Sequence, residues 1–216
     1  MKLILALLLA TLTASTSSAE NAPDVTCVSA SQRGGSELGC YVIANKELGK
    51  LGDAPLYWHL YTYETEAAAD AAKGNVGTVA ESFGKVWLFA VAEKSWSPAG
   101  GKKVSRIGPL PVSHAGSYTA EYMEATFLPG MKSRVHRHPG PEAWYVVAGE
   151  QCAEIPGKKI ALRAGEGGFV PEGPPMVLWG TGIGKRQGLA LILHDTTRPM
   201  TAPAPDWTPA GLCAAQ

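Results

Sequence analysis

The chain has 216 residues, with 19 Lys plus Arg against 19 Asp plus Glu, 18% charged and 45% hydrophobic residues, 25 Gly, 16 Pro and 4 Cys. A balanced charge with no run of like sign excludes a basic footprint for nucleic acid or for an anionic membrane surface, so the expected partners are small molecules or proteins. Gly and Pro at this density exceed what a helical bundle tolerates and fall short of low-complexity disorder, which predicts short strands joined by many turns.

Residues 1–19 read as a secretory signal. Lys2 supplies the positive charge, residues 3–12 are almost wholly apolar, and the stretch ends Ser17-Ser18-Ala19. The apolar run falls short of the roughly 20 residues that span a bilayer, so no membrane anchor is expected after cleavage. The protein is therefore expected to be exported, to a periplasm or to the medium. In such an oxidising compartment Cys27, Cys40, Cys152 and Cys213 favour disulfides. Of the three connectivities, the favoured one closes a local loop with Cys27 and Cys40 and ties the C-terminal tail to a strand with Cys152 and Cys213.

Residues 20–39 are polar and glycine-containing and read as an irregular arm. Residues 40–94 read as a small α+β module. Its signals are a strand over 57–63, rich in aromatics, a helix over 66–73 capped by Thr65 and stopped by Gly74, and a second strand over 83–92. Residues 95–114, with Pro98, Gly100, Gly101, Gly108, Pro109 and Pro111, read as a turn-rich connector. Residues 115–195 have another texture: short apolar runs at 118–128, 135–138, 143–148, 151–155, 168–170, 177–179 and 189–194 alternate with Gly and Pro turns and show almost no helical period. That pattern predicts an antiparallel sandwich or barrel. Residues 196–216, with Pro199, Pro203, Pro205 and Pro209, read as an extended surface tail. The fold class expected is mainly β.

The stretch richest in chemistry runs from Gly130 through His136, His138 and Glu142 to Gly149. Two histidines two apart share one face of a strand, and a strand returning after Pro139-Gly140-Pro141 can bring Glu142 beside them. Two imidazoles and a carboxylate suit Fe, Mn, Zn or Ni with coordination positions left open. A pair of surface histidines beside a hairpin turn explains the same residues equally well.

The spacing, G-x5-H-x-H-x3-E-x6-G, resembles the first motif of the cupin superfamily at every defined position. Gly165, Pro171 and Gly173 are similar to the second motif, G-x5-P-x-G-x2-H-x3-N, but Met176 stands at the histidine and Gly180 at the asparagine. The resemblance covers residues 115–195 and implies a compact jelly-roll barrel of the single-domain microbial type, with a degenerate second motif. Residue by residue it implies His136, His138 and Glu142 as metal ligands, with Met176 facing the same centre. Three outcomes follow: a three-ligand divalent metal, copper if the Met176 thioether ligates, or a metal-free pocket in which the histidines and Glu142 bind a ligand directly. Enzymes of this superfamily include oxygenases and isomerases, while other members only bind, so a metal-dependent enzyme and a binding or sensing module both remain open.

Strand parity adds Tyr122, Glu124 and Thr126 as barrel-lining residues, and Trp144 alternates with Glu142. His194 closes an apolar strand near the expected barrel mouth. Tyr122, Glu124, Trp144 and His194 are therefore the expected ligand pocket. A homodimer in which the first block completes a neighbour's sheet is compatible with either function.

Overall fold

The computed structural model describes residues 24–113 and 116–214. The expected signal at residues 1–19 lies outside the described residues. In chain order the elements are β1 (Cys27–Ser29), β2 (Gly39–Lys50), β3 (Leu56–Tyr63), α1 (Glu66–Ala72), β4 (Gly77–Ser82), β5 (Lys85–Glu93), β6 (Lys102–Ile107), β7 (Ser117–Phe127) and β8 (His136–Arg137). They continue with β9 (Glu142–Ala148), β10 (Glu150–Ile155), β11 (Lys158–Arg163), β12 (Gly167–Val170), β13 (Val177–Thr181), β14 (Arg186–Asp195) and β15 (Ala202–Pro203). The fold is mainly β, as expected.

A six-stranded sheet in the order β1-β2-β7-β14-β9-β12 forms the middle layer. Its central strands are apolar on both faces because both faces are covered. On one face Tyr118, Ala120, Tyr122, Leu189, Leu191 and Leu193 pack with Trp58, Leu60, Trp87 and Phe89 of the four-stranded sheet β4-β5-β3-β6. On the other face Met123, Ala125, Phe127, Trp144, Val146, Ala190 and Ile192 pack with Ala153, Leu162 and Leu178 of the three-stranded sheet β11-β10-β13. The second pair of layers is the barrel. Residues 130–136 extend the smaller sheet by running antiparallel to β13 and Met176, through bonds such as Gly130 N to Gly180 O at 2.9 Å and Ser133 N to Leu178 O at 2.8 Å.

The strand pairing redraws four of the expected segments. β2, grouped by its sequence with residues 40–94, pairs antiparallel with β7 and belongs to the barrel sheet. Within the described part of the 20–39 arm, which is otherwise turns and a short 3-10 segment, β1 pairs parallel with β2 and places Cys27 opposite Cys40. Within residues 95–114, β6 is an edge strand on β3. The Gly and Pro signals around Lys102–Ile107 hid it, because a strand with one free edge needs only a weak apolar alternation. The tail is likewise more than surface cover: β15 pairs with β8, Ala202 opposite Arg137 and Pro203 opposite His136.

Both expected disulfides are present, Cys27 with Cys40 and Cys152 with Cys213. They suit an oxidising compartment. No helix among the described residues is long and apolar enough to cross a membrane.

The one α-helix of the described residues forms where its cap predicts. The Thr65 side chain accepts a hydrogen bond from Ala68 N at 3.2 Å, and the alanine-rich helix behind it buries only Ala69. So short a helix has little packing to fall back on, and the cap satisfies an otherwise orphaned donor. Thr65→Ala is expected to lower the unfolding free energy by about 1 kcal/mol, read from the denaturation midpoint, with Thr65→Ser close to wild type.

Candidate metal centre

The two histidines and the glutamate reach one place from opposite sheets. His136 lies on β8 and forms an antiparallel bridge with Met176: His136 N donates to Met176 O at 3.1 Å and Met176 N to His136 O at 2.8 Å. The chain then turns through Pro139-Gly140-Pro141 and enters the large sheet at Glu142, the first residue of β9. The candidate ligand atoms of His136, His138 and Glu142 lie within 4.8 Å of one another, and the latter two residues are buried.

Each group is held by a partner that leaves its ligating atom free. Nδ1 of His136 lies 2.7 Å from the Arg134 carbonyl and Nδ1 of His138 lies 2.6 Å from the Met200 carbonyl. A carbonyl can only accept, so both Nδ1 atoms carry the proton and each Nε2 keeps its lone pair, the tautomer that a metal needs. Trp144 Nε1 donates to Glu142 Oε1 at 2.7 Å and fixes the carboxylate plane. Nε2 of His138 and Oε2 of Glu142 lie 3.2 Å apart without hydrogen-bond alignment, so both buried atoms remain without a hydrogen-bond partner. Buried polar atoms are rarely left so, and a cation between them satisfies both. The donor set, two imidazoles and one carboxylate, fits a divalent transition metal.

Electrostatics in the metal-free site are those of a coupled pair. Burial pulls the His136 imidazole below its ordinary range, helped by His138 beside it and opposed by Glu142. Burial acts the same way on His138, but the charge and contact of Glu142 and the Met200 carbonyl outweigh it and raise the imidazole. Burial pushes the Glu142 carboxyl up, and His138, His136 and the Trp144 bond together hold it below the usual carboxylate value.

A cavity of about 100 Å³ adjoins the three residues. Met123, Phe127, Leu178 and Ile192 make its walls apolar, and Val25, Thr26 and Met200 border it. Among the expected pocket residues, Trp144 is on the site's face and His194 lies near it, with Nε2 3.7 Å from Glu121 and Nδ1 2.9 Å from the Arg198 carbonyl. Tyr122 and Glu124 are on the other face. Tyr122 stacks on Phe89 at 4.9 Å between ring centroids, and Glu124 accepts from Ser82 at 2.5 Å and pairs with Arg33. The reason is register: Glu142 pairs with Ile192, and Ile192 with Glu121, so the odd residues Met123 and Ala125 share the barrel face. Met176 is buried opposite His136 and packs in the barrel core.

Sequence reasoning missed two contributors. The Met200 carbonyl comes from a tail with no periodic signal, and Arg186 reaches the cavity wall from the start of β14. Arg186 follows the turn glycines Gly182 and Gly184, where a charged residue is ordinarily exposed.

No protein-family model matches the chain, and no curated protein matches it. Among solved structures it is similar to a DMSP lyase from Ruegeria pomeroyi, at 21% identity over 39% of this chain and 43% of that one, with a TM-score of 0.35. A cupin-like protein from Thermotoga maritima matches at 14% identity over 42% of this chain and 77% of that one, TM-score 0.36. An oxalate oxidase matches at 22% identity over 40% and 46%, TM-score 0.35. The chain thus spans less than half the length of the lyase and of the oxidase. The barrel is the kind that the motif spacing implies: His136 lies on β8, His138 follows it at the turn, Glu142 opens β9 of the large sheet, and Gly130 and Gly149 take positive φ angles of +86° and +72° at turns.

Proposed function

We propose that this barrel holds one divalent transition metal through His136, His138 and Glu142, in an exported protein, and that it binds or transforms a small organic molecule in the adjoining cavity. The observation that carries the reading is the pair of buried, facing atoms, His138 Nε2 and Glu142 Oε2, that have no hydrogen-bond partner while the other nitrogen of each histidine ring is tied to a main-chain carbonyl. Bound there, the ion would supply a Lewis acid with coordination positions open to a ligand. The chain's own residues orient the site: the two carbonyls set the imidazole tautomers, Trp144 sets the carboxylate, and the apolar wall excludes water. Export rests on the two disulfides and on the signal-like residues 1–19.

The buried position of Met176 opposite His136 supports copper as a second reading, through its thioether. Elemental analysis of the untagged protein, as purified and after reconstitution, tests both. About one equivalent of Fe, Mn, Zn or Ni supports the three-ligand reading, and one of copper supports the thioether. A protein that takes up no metal in either state overturns both.

A further inference from the structure

The cavity beside the three candidate ligands is walled mainly by apolar side chains; its polar lining is the metal-ligand cluster, the buried Arg186, and Thr26, Ser133, Thr201 and the exposed Arg134 at its edge. Arg186 is 1% exposed and its guanidinium is sandwiched between the Phe127 ring, 5.5 Å from that ring's centroid, and the backbone at Gly188. A side chain at residue 188 would collide with it, since an added Cβ falls 2.6 Å from the Arg186 Cζ. The sequence thus leaves room for this cation.

Its acceptors do not match its charge. Nε donates to Gln151 Oε1 at 3.0 Å, Nη2 donates to the same oxygen, and Nη1 reaches the Ala125 carbonyl at 3.4 Å. All these acceptors are neutral. A guanidinium has five N–H groups, and these three bonds leave each Nη atom with one further N–H that meets no acceptor among the described residues. Burial pulls its pKa down to about 10, with the Glu142 carboxylate opposing the fall, so it stays charged at neutral pH. Buried charges are ordinarily paired with an opposite charge. Here the carboxylate whose charge reaches Arg186 is Glu142, which the reading above commits to the metal. With a divalent ion on neutral imidazoles and Glu142, the buried groups of the cavity would carry a net charge of about +2, to which Arg134 at the edge adds.

We propose that the cavity selects a small organic anion, a compact carboxylate whose head bonds the free N–H groups of Arg186 and whose body lies against Met123, Leu178 and Ile192. The location of the site rests on the function proposed above, but recognition by Arg186 does not require the metal. An aliphatic neutral molecule would leave the guanidinium uncompensated, whereas a carboxylate matches its planar fork in geometry and sign. When a metal is bound, the same ligand faces a second positive charge, so the anion preference strengthens.

Propionate and propionamide, nearly equal in size and differing in charge, are suitable probes. Each is titrated calorimetrically into the metal-free and the zinc-loaded full-length protein, with zinc content measured on the same samples. Propionate is expected to bind at least about tenfold more tightly in both forms. Arg186→Met should abolish the preference in the metal-free form, and Arg186→Lys should keep part of it. Equal binding of the two probes overturns the proposal, as does a preference that survives Arg186→Met in the metal-free protein. A protein that takes up no zinc but still prefers propionate through Arg186 sinks the metal reading and sustains this one. Should the Arg186 variants not fold, wild-type protein labelled with 15N-arginine decides. Propionate but not propionamide should shift the slowly exchanging guanidinium resonance, and its failure to move overturns the proposal.

Discussion

Glu142→Ala is expected to lower metal affinity by at least about a hundredfold and also to destabilise the metal-free protein, by roughly 3 kcal/mol. Removing one of three ligands accounts for the first effect. The second arises because Glu142 serves the metal-free fold as well: it is buried against His138 at 3.2 Å, accepts the Trp144 indole N–H at 2.7 Å and places its negative charge near Arg186. Its loss leaves a buried indole donor unsatisfied and Arg186 without its nearby counter-charge, and it removes the partner of the His138 imidazolium at pH values where that ring is protonated. Glu142→Gln separates the two contributions, since an amide oxygen still accepts from Trp144 but carries no charge. The pH dependence has a definite sign. His138 has a folded pKa raised above 6.5, so its contribution is full below 6.5 and is lost as pH rises through the raised value. Glu142 has a folded pKa lowered below 4.5, so its contribution is present above 4.5 and is lost as pH falls through the lowered value. The pair therefore stabilises the metal-free protein most between about pH 4.5 and 6.5. A metal requires neutral His138 and competes with its proton. The difference in melting temperature between metal-loaded and metal-free wild type should widen from pH 5.5 to 7.5. A difference that narrows over that range would contradict the coupling.

Much of the candidate site could be read in the chain because its residues are close in sequence. Gly130 to Gly149 carries both histidines, the turn and the glutamate in one strand-turn-strand, and local spacing determines how those side chains converge. The Thr65 cap and the helix behind it were legible for the same reason. The face of β7 was not. Tyr122 and Glu124 lie on a strand covered on both sides, so burial alternation carries no label for which side is the barrel. Only the pairing of Glu142 with Ile192 and of Ile192 with Glu121, between residues far apart in sequence, assigns the faces. β1 and β15 escaped notice because strands of three and two residues have no period to detect; β1 is tied to β2 by the Cys27–Cys40 disulfide and its pairing, and β15 is held by pairing with β8. Arg186 shows a different limit. A buried arginine contradicts the usual polarity of burial, so composition assigns it to the surface until its packing on Phe127 is seen.

Gly140 provides the sharpest test of how the turn and the barrel depend on each other. It stands between the second histidine and the glutamate, and it is required for close approach rather than for an unusual φ. An added Cβ would overlap the Leu193 carbonyl oxygen of β14 and fall 2.8 Å from the Leu193 carbonyl carbon. Neither atom can move independently, because Leu193 N donates to the Pro141 carbonyl at 3.0 Å and Leu193 itself is fully buried in the outer core. Relief must come from lifting the turn off β14, which carries His138 and Glu142 away from each other and from the Met200 carbonyl. Gly140→Ala is thus expected to cost roughly 3 to 5 kcal/mol of stability, the range of severe overpacking against backbone, and to abolish stoichiometric metal binding in whatever fraction folds. Gly52→Ala is the control, since its added Cβ would meet no atom within 4 Å and its φ is ordinary. It should leave both the denaturation midpoint and the metal content within error of wild type. If Gly140→Ala proved as mild as the control, the turn would not be seated on β14, and the convergence of the two sheets on His138 and Glu142 would need another cause.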